Sequence, residues 1–193
     1  MKDSFTVEWF SRAGQGAITA ANFLSEACAT LGYHVQSFPN FGAEKRGALV
    51  ITYNRISKEN KILDDPAHLI HSDVSVLVDT SLLGDELSYD EAISKNKNGT
   101  LFINTSKTTP SKFNEKFQGT TYHLNASKIA METINRDIPN VAIIGGLTKI
   151  LNLDYEKIKT ELIKNLSAAF PAKIVEKNMQ GFERGYQEVF KMS

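Results

Sequence analysis

Cysteine occurs once in the 193 residues, at Cys28. A lone thiol excludes an internal disulfide, a cysteine-rich zinc site and a self-contained iron–sulfur cluster. Net charge is missing as well, with 22 Lys+Arg against 22 Asp+Glu. The balance leaves no electrostatic footprint for nucleic acid or an anionic membrane surface, although a local basic loop is compatible with it. No stretch approaches ~18 uninterrupted apolar residues, so no transmembrane helix is expected. The opening MKDSFTVEWF alternates apolar and polar residues and lacks the apolar stretch of a signal peptide. A cytoplasmic location is the corresponding expectation. The Asn-x-Ser/Thr triplets at Asn98, Asn104, Asn125 and Asn165 then read as chance.

What is present is an ordinary globular mixture, 41% hydrophobic and 23% charged. At this length one domain spanning residues 1–193 is expected, able to bury roughly 70% of the unfolded chain's surface. Strand-like runs alternate with helical patterns, which points to βαβ units. The expected fold class is α/β: three layers, α/β/α, with a mostly parallel sheet, Rossmann-like, and a helical C-terminal third. Strands are expected over about Phe5–Phe10, His34–Phe38, Ala48–Tyr53, Val74–Val78, Leu101–Ile103 and Thr121–Leu124. Helices are expected over about Ala17–Leu31, from Asn125 onward, over Val141–Leu151, from Asp154 to about Ala168, and over Ala172–Phe190. Ala20, Phe23, Leu24, Ala27, Cys28 and Leu31 share one face of the first helix, and Gly32 falls at its C-terminal end.

Between the first strand and the first helix lies Ser11-Arg12-Ala13-Gly14-Gln15-Gly16. Backbone N–H groups at a glycine turn, the helix dipole and Arg12 together make an anion site for a phosphate or carboxylate. The glycines could equally serve only a tight turn and close packing. A Walker loop requires lysine after its last glycine, but Ala17-Ile18-Thr19 follows Gly16. A dinucleotide fingerprint requires a third small residue where Thr19 stands, and an acid where Phe38-Pro39 stands. Neither motif is present.

A second loop, Pro39-Asn40-Phe41-Gly42-Ala43-Glu44-Lys45-Arg46-Gly47, packs aromatics, a carboxylate and two cations between glycines, directly after Phe38. It is a candidate binding element, or a surface loop whose charges pair with one another. Asp79-Thr80-Ser81 follows a buried strand, where a ligand crevice would open, and Ser81 has no evident base to make it a nucleophile. His34, His68, His71 and His123 are scattered without carboxylates at ligand spacing, so no metal site is expected. Cys28, on an apolar helix face, reads as a buried small hydrophobe.

Taken together, Arg12-Ala13-Gly14-Gln15-Gly16-Ala17-Ile18-Thr19-Ala20-Ala21, Val35-Gln36-Ser37-Phe38-Pro39 and Gly42-Ala43-Glu44-Lys45-Arg46-Gly47-Ala48 resemble one family. It is the gamma subunit of 2-oxoacid:ferredoxin oxidoreductases, the pyruvate type above all. Asn54-Arg55-Ile56, Val78-Asp79-Thr80-Ser81-Leu82-Leu83, Ile138-Pro139-Asn140, Ile144-Gly145-Gly146-Leu147, Asn178 and Gly185-Tyr186 extend the resemblance from about Phe5 to Tyr186. The chain departs from the family at Ser11 and Ala13, where more glycines are usual, and at Gly145-Gly146, where Gly-Ala is usual.

The resemblance implies one part of an assembly that oxidatively decarboxylates pyruvate or a related 2-oxoacid to the acyl-coenzyme A and CO2. Electrons pass to ferredoxin or flavodoxin. It implies alpha, beta and delta-type partner subunits that supply thiamine diphosphate, Mg2+ and iron–sulfur clusters, with no cofactor bound by this chain alone. Arg12, Gly14, Gln15, Gly16, Lys45 and Arg46 become candidates for the coenzyme A side of the site. Glu44, Phe38, Phe41, Asp79 and Ser81 become candidates for subunit contacts or a ligand crevice. Arg12, Gln15, Glu44 and Arg46 fit a subunit contact equally well. The alternative from another class is a stand-alone α/β module that binds a phosphate or an acyl carrier.

Overall fold

The first strand, β1 (Ser4–Arg12), is buried on both faces, as a central strand must be. Phe5, Val7 and Trp9 point to one side, where they join the main apolar core. Phe10 points to the other, into a second cluster with Ile51, Tyr53, Leu77, Leu101 and Ile103. The computed structural model describes residues 3–41, 49–59, 72–79, 81, 96, 98–106 and 117–192, with nothing further said of the Phe41 side chain. Around β1 the sheet is completed by β2 (His34–Phe41), β3 (Leu49–Ser57), β4 (Val74–Leu77), β5 (Thr100–Asn104), β6 (Thr120–Leu124) and β7 (Phe190–Lys191).

Their order is β2-β3-β1-β4-β5-β6-β7. β1, β4, β5 and β6 are mutually parallel neighbours, while β3 lies antiparallel between β2 and β1, and β7 closes antiparallel on β6. Five of the seven strands therefore run one way. The expected α/β fold with a mostly parallel sheet and a helical C-terminal third is the observed one.

The helices among the described residues are α1 (Ala17–Thr30), α2 (Ala126–Ile134), α3 (Asn140–Ile150), α4 (Tyr155–Ala169) and α5 (Ala172–Glu188). All contribute to the core cluster on the Trp9 face. The Phe10 face is buried as well, and Phe117 belongs to its cluster. None of the described helices is long and apolar enough to cross a membrane.

Several helix ends sit where the sequence puts them. The Asn125 side chain accepts from Lys128 N–H at 3.1 Å and the Asp154 side chain from Lys157 N–H at 3.1 Å, so each satisfies a first-turn donor. Gly32, at φ 85°, ends α1: its N–H donates to Ala29 O and Tyr33 N–H to Cys28 O. Cys28 is buried as expected, and desolvation pushes its thiol up to about 12.

Strand lengths differ more. β1 runs two residues beyond Phe10, because Ser11 and Arg12 pair with Val50 and Leu49, so the glycine turn is shorter than expected. β2 continues through Pro39 to Phe41; it is an outer strand of this sheet, where a missing N–H is tolerated. The last helix stops at Glu188 instead of Phe190. Phe190 becomes part of β7, its ring edge-on to the buried His123 ring at 5.7 Å.

α3 and α5 approach backbone to backbone. A Cβ on Gly185 would stand 1.9 Å from Ala142 O, and one on Gly145 would stand 2.1 Å from Phe182 O. Gly146 meets the Phe102 ring: a Cβ there would lie 2.6 Å from Cζ. Gly185→Ala must therefore force the two helices apart, costing about 1–3 kcal/mol or more. Gly181→Ala, whose new methyl meets nothing closer than 3.5 Å, should be neutral or gain up to about 1 kcal/mol of helix propensity. Thermal unfolding of the two variants checks the contrast; equal midpoints would contradict it.

Candidate functional site at the carboxyl ends of β1 and β4

Chain progression reverses at β1. The strands that follow it, β2 and β3, lie on one side, and β4 to β6 lie on the other. Between the carboxyl ends of β1 and β4 is therefore a topological switch point, where open α/β sheets place their ligand crevice. The glycine turn follows β1 and the Asp79 turn follows β4, so the fold brings the two to the same place.

They are tied together. Gln15 reaches across: its Nε2–H donates to Asp79 Oδ2 at 2.8 Å, and its Oε1 accepts from Arg12 N–H at 2.8 Å. Arg12 Nε–H donates to Ser81 Oγ at 3.1 Å and lies 3.5 Å from Asp79 Oδ2. Asp79 Oδ1 accepts from Ser81 N–H at 2.8 Å. Burial works to raise the Asp79 carboxyl, but the bonds from Ser81 and Gln15 and the Arg12 charge outweigh it and hold the group below its ordinary value. Arg12, Gln15, Asp79 and Ser81, drawn from separate segments, are thus one network. Ser81 accepts from a guanidinium, which draws electron density from its oxygen and disfavours a nucleophilic role.

Asn104, at the end of β5, anchors the Asp79 side. Its Nδ2 donates to Val78 O at 2.8 Å and to Ser127 Oγ at 3.0 Å, and its Oδ1 accepts from Ser127 N–H. Its Asn-x-Ser triplet did not point to this role.

Gly14 (φ 92°) and Gly16 (φ 78°) are both left-handed, a conformation glycine adopts without penalty. Gly16 caps α1 with no side-chain hydrogen bond, and no acidic residue occupies the first turn. The N-terminus of α1 therefore keeps its positive dipole and open donors. Space around Gly14 is open, whereas Gly16 is packed by Asn140 and Ile138. Beside the turn opens a cavity of about 560 Å3 bounded by α1, the segment between α2 and α3, the end of α4, and α5. Arg136, Asn140 and Asn178 are its polar groups with side-chain nitrogen. No periodicity or motif spacing marks them as one site, because they come together only through the packing of α3 against α5.

The remaining candidates divide. Phe38 is a strand residue stacked on Tyr53, with ring centroids 5.2 Å apart, and is not part of this network. Glu44, Lys45, Arg46, His68 and His71 lie outside the described residues, as does the Phe41 side chain. Among the described residues no group of three His, Cys, Asp or Glu side chains is placed to hold a metal ion.

The fold is that of an α/β protein with a mostly parallel sheet that opens at a switch point. The chain belongs to the pyruvate ferredoxin/flavodoxin oxidoreductase family, whose model matches residues 6–188. It is similar to pyruvate synthase subunit PorC of Thermotoga maritima, 34% identical over 196 residues that cover 97% of this chain and 96% of that one. The crystal structure of that subunit matches over the whole of both chains, with a TM-score of 0.82 and 32% identity. The pyruvate/ketoisovalerate oxidoreductases common subunit gamma of Pyrococcus furiosus is 34% identical over 192 residues, covering 96% of this chain and 98% of that one. The 2-oxoglutarate:ferredoxin oxidoreductase of Magnetococcus marinus, solved with 2-oxoglutarate, coenzyme A and succinyl-CoA bound, shares the fold. That match has a TM-score of 0.77 and 20% identity over 97% of this chain and 31% of that one.

The network carries a pH signature. Because the folded Asp79 carboxyl lies below its ordinary 3.8, it stabilises the fold above that value, and the contribution is lost as pH falls through the lower folded value. Asp79→Asn should cost about 1 kcal/mol at neutral pH, after allowance for the partly exposed Arg12. It should also flatten the acid limb of a stability-against-pH curve. An unchanged limb would contradict the network.

Proposed function

We propose that this chain is the gamma subunit of a pyruvate (2-oxoacid):ferredoxin/flavodoxin oxidoreductase, a single domain that works within a cytoplasmic complex of alpha, beta and delta-type subunits. The end-to-end similarity to subunits of that name supports the reading. Thiamine diphosphate, Mg2+ and the iron–sulfur clusters belong to the partner subunits, in keeping with the single cysteine here. Ferredoxin or flavodoxin takes the electrons through the complex.

The role of this chain is to help form the coenzyme A side of the site. One observation carries that role: the glycine turn and the Asp79 turn meet at the switch point of the sheet, beside an α1 N-terminus with no acidic residue and no side-chain cap. Phosphate oxygens suit the open donors of the Gly14–Gly16 turn. Arg12, whose Nε is held by Ser81, contributes its charge beside the turn, and Lys45 and Arg46 are the further cations of the proposed site. The chain binds and orients coenzyme A, whose thiol accepts the acyl group; bond-making belongs to the thiamine-bearing subunits.

Arg12→Ala, assembled with its partners, should raise KM for coenzyme A about tenfold, equivalent to about 1.4 kcal/mol of lost binding. KM for the 2-oxoacid should stay unchanged. An unaltered KM for coenzyme A would overturn this role and leave Arg12 as a residue that only holds the two turns together.

A further inference from the structure

Both ends of the Gln15 side chain are committed within the protein. Its Oε1 accepts from Arg12 N–H at 2.8 Å, and its Nε2–H donates to Asp79 Oδ2 at 2.8 Å. These partners fix the amide's orientation, since the reverse would set its oxygen against a carboxylate and its N–H groups against the Arg12 N–H. The Gln15 backbone N–H also donates to Arg12 O, at 3.3 Å. One residue therefore takes both main-chain groups of Arg12 and, through its side chain, reaches the turn after β4.

The Arg12 guanidinium depends on what Gln15 holds. Its Nε–H bonds Ser81 Oγ at 3.1 Å and lies 3.5 Å from Asp79 Oδ2, with 37% of the Arg12 side chain exposed. At that distance and exposure the charge pair alone orders a long side chain weakly. Asp79 is the better buried partner, its side chain 17% exposed. Its Oδ1 takes the Ser81 N–H, which leaves Oδ2 to Gln15 and Arg12 together. The Gln15 bond is the shorter of the two, and a hydrogen bond to an ionised carboxylate is among the stronger kinds.

We propose that Gln15 is a positioning residue for the anion site: it acts on the ligand through Asp79 and the Arg12 guanidinium, without touching the ligand itself. It fastens the end of β1 to the end of β4, so that the Arg12 charge and the donors of the Gly14–Gly16 turn keep one register. The amide suits the task because it offers an acceptor to Arg12 N–H and a donor to Asp79 in one planar group. A carboxylate at the same place offers acceptors alone.

The proposal rests on the coenzyme A role given to Arg12, and an exchange of the two bonded groups tests it. Gln15→Glu alone sets two carboxylates against each other across the 2.8 Å contact. Adding Asp79→Asn swaps donor and acceptor at unchanged side-chain length. The amide introduced at position 79 then donates to the carboxylate introduced at position 15. Ser81 N–H and Arg12 N–H keep their acceptors, and one negative charge stays beside Arg12.

In the assembled oxidoreductase, Gln15→Glu should raise KM for coenzyme A about tenfold, and the double variant should bring it back to within about threefold of wild type, as two residues acting as one unit do. KM for the 2-oxoacid should stay unchanged in both. Gln15→Ala, which adds no charge, should raise KM for coenzyme A at least about threefold, so the role is also tested without a carboxylate pair. A KM that stays high in the double variant would overturn the proposal, because a Gln15 that meets the ligand directly is not rescued from position 79. So would a wild-type KM in Gln15→Glu or Gln15→Ala with only a lowered unfolding midpoint, which would make the bond purely structural. Should Arg12→Ala leave KM for coenzyme A unaltered, the coenzyme A reading fails and the positioning role with it. Should Arg12→Ala raise KM while the exchange rescues nothing, the positioning role alone fails.

Discussion

One fully buried amide holds the site together. Asn54, on β3, accepts a 2.6 Å hydrogen bond from the Trp9 indole of β1, and its Nδ2 donates to Ala21 O and Ser25 Oγ of α1 at 2.7 and 2.8 Å. The strand before the glycine turn and the helix after it are thereby pinned to the same side chain. The turn that joins them, residues 13–16, has little freedom left. A buried polar group with its hydrogen bonds made fixes geometry that apolar packing alone would leave adjustable. Removing it would leave Trp9 and Ser25 with broken partnerships in a dry interior, a far larger penalty than the bonds themselves contribute.

The same economy of position governs the two turns at the switch point. Arg12, Gln15, Asp79 and Ser81 compensate one another's charge and hydrogen-bonding needs, so the network adds rigidity where the sheet opens. The open anion-binding capacity lies beside it, in the backbone of the Gly14–Gly16 turn and the first turn of α1. A charge-compensated frame around open backbone donors is suited to holding a polyanionic carrier in one register. It is poorly suited to attacking bonds. This division of labour fits a subunit that shapes a site whose reactive groups lie on other chains.

Much of the fold was legible from local chemistry. Asn125, Asp154 and Gly32 marked helix ends because capping is decided by a side chain and its own turn. Strand ends were not legible in the same way. Ser11 and Arg12 are strand because Leu49 and Val50 lie opposite, Pro39 is tolerated because β2 is an outer strand, and Phe190 leaves the helix to pair with β6. These are long-range facts that no window of sequence contains. For the site, Arg12, Gln15, Asp79 and Ser81 could each be named, but their union depends on β1 and β4 being neighbours. Asn104 stood out only as a chance triplet, Asn140 and Asn178 only in motifs that gave them no role, and Arg136 and Phe170 not at all; tertiary packing alone brings Arg136, Asn140, Phe170 and Asn178 to one cavity.

The central claim is that this chain works only as part of a larger redox assembly. Affinity capture of the chain from native lysate prepared without oxygen, with partners identified by mass spectrometry, tests it most directly. Co-recovery of a thiamine-diphosphate subunit and a cluster-bearing subunit is the result expected. Recovery of the chain alone, under conditions that keep other complexes intact, would contradict the claim and favour a stand-alone phosphate- or acyl-carrier-binding module.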